Sequence, residues 1–281
     1  MENKSKYRLI KILLLAVIIV CLARIGQTCY LSKRHEKQQA FLKEIRETEQ
    51  IKEVIQTKET DVVELETPEV KEYFLSATEE RKKPEAKAPV ILKKYRLIYE
   101  ENHDLIGWLS IDGMVIDYPV MRGKDDEYYL HHDFFGKEDK YGSLYVRSIA
   151  DVDTPDTNFI IYGHNMRDGS MFGDLDLYQE ESFYLEHPTI CFDTLYEERT
   201  YEIVAVFRSR VYREDEEVFK YYRFYTAETE EEFQYFYDNI KKLSLYDTGV
   251  TAEFGDTFLT LSTCAYHVEN GRFVVVAKWA K

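Results

Sequence analysis

The first apolar pattern along the chain is a block rather than a period. Positions 12–23 run without a charge, preceded by Lys4, Lys6, Arg8 and Lys11 and followed by Arg24. A basic flank before an apolar core marks a secretion signal or an uncleaved signal anchor. The block is short of the roughly 20 residues that span a bilayer as a helix. It lengthens when Leu9 and Ile10 join it and Lys11 extends its amine to the headgroups. Ile18-Ile19-Val20-Cys21 is a poor lipoprotein box, because Val20 stands where a small residue is wanted. The expectation is an uncleaved anchor over residues 1–31 with its N-terminus in the cytoplasm; a cleaved signal is the alternative.

Residues 32–90 are rich in Glu and Lys, and Phe41, Leu42, Ile45, Ile51, Val54 and Ile55 fall mostly at helical spacing. This reads as an amphipathic stalk, either a solvated spacer or a helix that packs on a neighbour. Pro68, Pro84 and Pro89 break the remainder of the segment into linker. From residue 91 the pattern changes. A helix is expected over 91–101, with Leu92, Tyr95, Ile98 and Tyr99 on one face. Short β-rich runs come next, at 106–111, 115–120, 143–146, 158–162, 189–195, 200–212, 257–264 and 272–279, bounded by Gly, Pro, Asp or Asn. Eight such runs predict a mainly β domain, barrel or sandwich, over 91–281. Residues 228–243 carry Phe233, Phe236, Tyr237, Ile240 and Leu243 at three- and four-residue spacing, so a helix should dock one face on the strands.

Composition sharpens this picture at three points. The 23 tyrosines and 16 phenylalanines favour strands. A net charge of −15 argues against a nucleic-acid partner, since phosphate binding needs a basic surface. The four cysteines, Cys21, Cys29, Cys191 and Cys264, form no CxxC and no Cys/His cluster, so neither a metal site nor a disulfide framework is indicated. A single Cys191–Cys264 bridge stays open.

Candidate chemistry lies at strand ends. The run TFLTLSTC ends at Cys264, and alternation puts Thr260, Ser262 and Cys264 on one face, with Leu259, Leu261 and Thr263 on the other. A thiol ending a strand beside polar neighbours suits exposure at a rim. Eight residues later Arg272 opens the next strand, and a hairpin across 265–271 would set the two strands side by side. The guanidinium would then help to hold a thiolate and donate to an oxyanion. A nucleophilic cysteine also needs a base. His164 follows the fourth β run within YGHNMRDGSMFGDL, where Gly163 permits a sharp turn and Asp168-Gly169 a further one. Each element has a plain structural reading as well: an inert cysteine, a structural histidine, a surface arginine. The order His before Cys excludes a papain arrangement. The residues by themselves give a candidate secreted thiol enzyme with an open substrate.

TLSTC, with an arginine eight residues on in RFVVVAK, resembles the signature of the sortase family. The stretch YGHNMRDGSMFGDL and the opening DLIGWLSIDGMVIDYPVMRGKDDEYYLHHDF are similar to those of class B sortases. The resemblance covers residues 91–281. It implies an eight-stranded β-barrel, no cofactor or metal, and a transpeptidase with Cys264 as nucleophile, His164 as acid/base and Arg272 on the oxyanion side. It also implies substrate contacts at Leu130 and Ser262, and at Asp126, which stands where the family pattern has Asn. A second departure is SLYVRS at 143–148, where an acid usually comes after the strand. The implied partners are surface proteins with an NPxTx- or LPxTG-like sorting signal and a peptidoglycan precursor amine. The enzyme would sit in the cell membrane with its catalytic domain outside. Pilin polymerisation, or a secreted cysteine protease or amidase, are the alternatives.

Overall fold

The computed structural model describes residues 2–63, 89–152, 156–265 and 268–280. It divides into two compact units, Met1–Ile45 and Arg46–Lys281. From Glu2 onward the first is helical, within α1 (Glu2–Val63). The apolar side chains of its N-terminal block are exposed, Leu13 at 68% and Leu22 at 62%, while Leu42 further along is buried. An 18-residue window of this helix has a mean hydropathy of 2.3, so by length and composition it can cross a membrane. Pro68 and Pro84, expected to break the linker, lie outside the described residues.

The second unit enters its barrel through α2 (Lys93–Glu101). Tyr95 and Ile98 are buried, and Lys94 lays its stem down with Nζ 2.8 Å from Asp193 and also bonded to Glu198. In chain order there come β1 (Leu105–Ser110), β2 (Asp117–Met121), α3 (Tyr128–His131), β3 (Leu144–Tyr145), β4 (Asn158–Gly163), α4 (Glu181–Glu186), β5 (Thr189–Thr194), β6 (Thr200–Arg210), α5 (Glu230–Leu243), β7 (Phe258–Cys264) and β8 (Gly271–Trp279). All eight expected strands are present, and they close as β1-β2-β3-β4-β7-β8-β6-β5. Closure decides for a barrel over a sandwich: β1 pairs with both β2 and β5, so no edge strand is left.

One pairing sets the geometry of the rim. β4 and β7 run parallel, in register from Asn158 beside Phe258 to Gly163 beside Thr263. Both strands therefore deliver their C-terminal ends to the same rim. β8 returns from that rim, antiparallel to β7, with Arg272 opposite Cys264.

The outer face of β6, β7 and β8 is roofed by α5. Thr229 caps that helix, its side chain accepting from the Glu232 N–H at 3.2 Å. Glu230–Glu232 in the first turn and Lys241 and Lys242 in the last complement the helix dipole. Phe233, Phe236 and Ile240 are buried against Phe207, Phe258, Val274 and Val276. Leu243, expected on the same face, is 41% exposed, because the helix ends there and the chain turns back to bond Val206. Phe236 is fully buried and stacks on Phe224 at 4.2 Å between centroids. Phe236→Ala is expected to cost about 3–5 kcal/mol of stability, read as a lower urea midpoint at unchanged slope.

Candidate active site

The polar neighbours that alternation places on the Cys264 face of β7 are buried. Thr260 and Ser262 are 0% and 2% exposed. They share their face with Phe258, which packs under α5. Burial of a hydroxyl needs a partner, and each has one. Thr260 donates to Asn158 Oδ1 at 2.5 Å, and Ser262 Oγ lies 2.7 Å from Tyr221 Oη. Tyr221 belongs to a short 3-10 turn, Tyr221–Arg223, that continues the roof. Cys264 is the residue at which β7 comes out from under this cover, and it is half-buried.

Arg272 stands directly across from it. Opposed side chains in an antiparallel pair share a face, with Cβ atoms about 4.5–5.5 Å apart. The guanidinium is aimed by its own hairpin: Nη1 donates to Gly271 O at 2.9 Å and to Asn270 O at 3.4 Å. Asn270 takes φ +56°, closing a loop tied by Ala265 N–H to Gly271 O at 2.9 Å. Two residues of that loop, 266 and 267, lie outside the described residues.

His164 is the first residue beyond β4. Since Gly163 lies beside Thr263, His164 and Cys264 leave neighbouring strands at the same level. Gly163 does not serve the sharp turn expected of it. Its φ is ordinary, and what requires glycine is room: a Cβ there would lie 2.5 Å from Leu144 Cδ2 and 2.8 Å from Phe172 Cδ2. The Asp168-Gly169 turn is as expected, with Gly169 at φ +82°.

The imidazole is tied to α3. Nε2 is 2.7 Å from the Leu130 carbonyl oxygen. A carbonyl only accepts, so Nε2 carries the hydrogen, and Nδ1 is the nitrogen left to exchange a proton. Leu130 thus touches the site through its main chain. That carbonyl is fixed by α3, whose start is pinned by Asp125 Oδ1 accepting from the N–H groups of Glu127 and Tyr128 at 3.0 and 2.7 Å. It is also fixed by Gly142, at φ +57°, where a Cβ would fall 2.6 Å from both Leu130 O and Tyr129 O. Gly142→Ala must displace that carbonyl. We expect turnover to fall by about 10²-fold with KM little changed, measured by initial rates over a substrate series.

Asp126 is exposed and its Oδ1 accepts from the Ser148 N–H at 2.7 Å and Ser148 Oγ–H at 2.8 Å. The two places where the chain departs from the pattern it resembles therefore bond to each other. Arg147, beside them, lies over the Tyr225 ring. Burial pushes the Tyr145 hydroxyl up to about 12; the Cys264 charge adds to the shift and the Arg272 charge opposes it. That places Tyr145 within the same electrostatic field. Cys191, on β5, has its thiol raised by burial first, with Asp193 and Asp112 adding to it, which disfavours a thiolate. All four cysteines are free, so the Cys191–Cys264 bridge is not formed. Among the described residues no three His, Cys, Asp or Glu side chains come together as a metal site.

Four contributors escape a reading of the sequence: the Leu130 carbonyl, Tyr221, Asn165 and Asp176. Asn165 follows His164 and donates from Nδ2 to the Cys264 carbonyl at 2.9 Å and to Asp176 Oδ2 at 3.2 Å. Its place beside the histidine is the one local signal it carries.

Fold and rim together define a closed eight-stranded barrel that gathers a cysteine, a histidine and an arginine at one end, the layout of a thiol enzyme. A model of the sortase domain matches residues 109–280, and the chain belongs to the sortase family. Its relatives place it in class B. Sortase B of Listeria monocytogenes is 36% identical over 183 residues, covering 63% of this chain and 70% of that protein. The Staphylococcus aureus sortase B–substrate complex superposes with a TM-score of 0.62 at 30% identity, over 68% of this chain and 87% of that one. A sortase B solved in complex with triglycine gives 0.61 at 30% identity, over 67% and 86%.

Proposed function

We propose that this chain is a membrane-anchored transpeptidase that cuts a C-terminal sorting signal and joins the upstream protein to a peptidoglycan amine. In this reading the basic flank stays in the cytoplasm, α1 crosses the membrane, and the barrel works outside. The Cys264 sulfur attacks the carbonyl of the sorting peptide. The oxyanion takes hydrogen bonds from Arg272, whose aim is set before the substrate arrives. His164 passes the Nδ1 proton to the departing amine, and a thioester on Cys264 remains. An incoming amine returns its proton to His164 and displaces the thiolate. Ser262, under Tyr221, and Leu130 would shape the peptide groove, and Asp126 would act on it through Ser148. The sorting signal would be NPxTx- or LPxTG-like.

The observation that carries this reading is the rim itself: Arg272 opposite Cys264, and His164 alongside on the parallel neighbour strand. Complexes of related sortase B proteins with a substrate and with triglycine support a peptide donor and an amine acceptor. The test is to incubate the full chain, in detergent micelles, with sorting-motif peptides and triglycine, and to record intact masses. A thioester adduct on Cys264 and a glycine-capped product are expected. Free acid released at a rate indifferent to triglycine would make the enzyme a protease or amidase instead.

A further inference from the structure

We infer that Asn165 is a positioning residue for the reaction: its side chain, braced by Asp176, locks the Cys264 main chain to the histidine loop. The inference rests on the reading of Cys264 and His164 as the reacting pair.

The need for such a lock comes from where the ladder stops. β4 and β7 are in register up to Gly163 beside Thr263, and Thr263 Oγ1 seals that end by donating to Gly163 O at 2.8 Å. The reacting residues are the next ones along, beyond the last paired rung. There the two chains part. After His164 the backbone folds back on itself, with Phe172 N–H bonded to His164 O at 2.9 Å and Asn165 bridging Met171. Cys264 instead turns toward β8. Across the gap runs a side-chain rung, Asn165 Nδ2 to Cys264 O at 2.9 Å.

The second amide hydrogen goes to Asp176 Oδ2 at 3.2 Å. A carbonyl and a carboxylate both require a donor, so the amide can stand only one way round, with both hydrogens used. Asp176 lies in the 3-10 helix Gly173–Gln179, which packs through buried Leu175 and Tyr178. The brace is therefore rooted in the core. Asn165 touches no reacting atom. What it fixes is how far the thiol stands from the imidazole, and misplacement of reacting groups by about 1 Å costs about 10²-fold in rate.

The experiment compares wild-type full chain in detergent micelles with N165A and D176N. One readout is the iodoacetamide rate at Cys264, resolved from the other cysteines by peptide mapping; it needs no substrate. The other is kcat and KM for a sorting peptide with triglycine. For N165A we expect alkylation about tenfold slower at neutral pH, because the displaced thiol loses the imidazole that takes its proton. We also expect kcat about 10²-fold lower, with KM within about threefold. D176N weakens the brace, since a neutral carboxamide oxygen accepts less strongly than a carboxylate, and both readouts should fall in the same direction as for N165A by a smaller factor, about threefold. An N165A enzyme that alkylates Cys264 at the wild-type rate overturns the inference. So does a loss of kcat that only tracks the unfolded fraction seen by circular dichroism. If the wild type itself turns over no peptide, the transpeptidase reading fails, and the alkylation ratio still decides the role of Asn165.

Discussion

Cys264→Ala is expected to leave a folded barrel that forms no acyl-enzyme. Removing the proposed nucleophile should cost about 10⁶-fold in kcat, because what remains of the site has nothing to deliver. The stability change should stay within about 1 kcal/mol, since one half-buried sulfur is lost and no polar group is orphaned. The check pairs intact-mass spectra of the peptide incubation with a thermal melt. Residual adduct on the variant would mean that another cysteine carries the acyl group. Cys191 is the one to examine, and its raised thiol pKa argues against it.

Arg272→Lys is expected to be nearly as damaging despite the retained charge. The guanidinium spends Nη1 on Gly271 O and Asn270 O and still has other fixed donors facing outward from its fork. An ammonium has three hydrogens at one point and a flexible stem. Bonding the hairpin carbonyls would take it away from the oxyanion, and serving the oxyanion would release the hairpin. The loss of a preorganised oxyanion donor is worth about 10²–10³-fold in kcat. KM should barely move, because the interaction is made in the transition state. Rapid-mixing mass spectrometry of the thioester would show slow acylation rather than a pile-up of adduct. A variant that acylates at the wild-type rate would remove Arg272 from the oxyanion role.

How far the sequence carries the fold depends on what each element leans on. The strands are legible because each is long enough to show its composition and is punctuated by turn residues, as β6 and β8 are. β3 shrinks to Leu144–Tyr145 because its pairing is limited to β2 on one side and Tyr162 on the other. The short helices α3 and α4 are not legible: four and six residues make no period, and tertiary contacts hold them. The parallel pairing of β4 with β7 leaves no mark on either strand, since its partners lie about 100 positions apart in the chain. The site divides along the same line. Cys264 and Arg272 can be placed together because a short hairpin joins them. His164 can be nominated only from its strand end, and the family resemblance does the rest. The two polar positions before Cys264 do not announce their burial, because alternation reports which face a residue is on, and cannot report that α5 covers that face. Asp126 reads differently once its carboxylate is found on Ser148 rather than free toward a groove.

The strand order has a consequence in time. β8 comes after β6 and β7 in the chain, yet in the barrel it lies between them, bonded to both. Until it arrives, β6 and β7 each present a bare edge and the barrel is open. A protein threaded N-terminus first would hold Cys264 before it held Arg272. Its histidine strand, made about 100 residues earlier, would wait for β7. Such long-range pairings make folding slow. The proposed site is then the last thing the molecule completes, and an unfinished chain, even one that already contains its thiol, would lack the arginine that the proposed reaction uses.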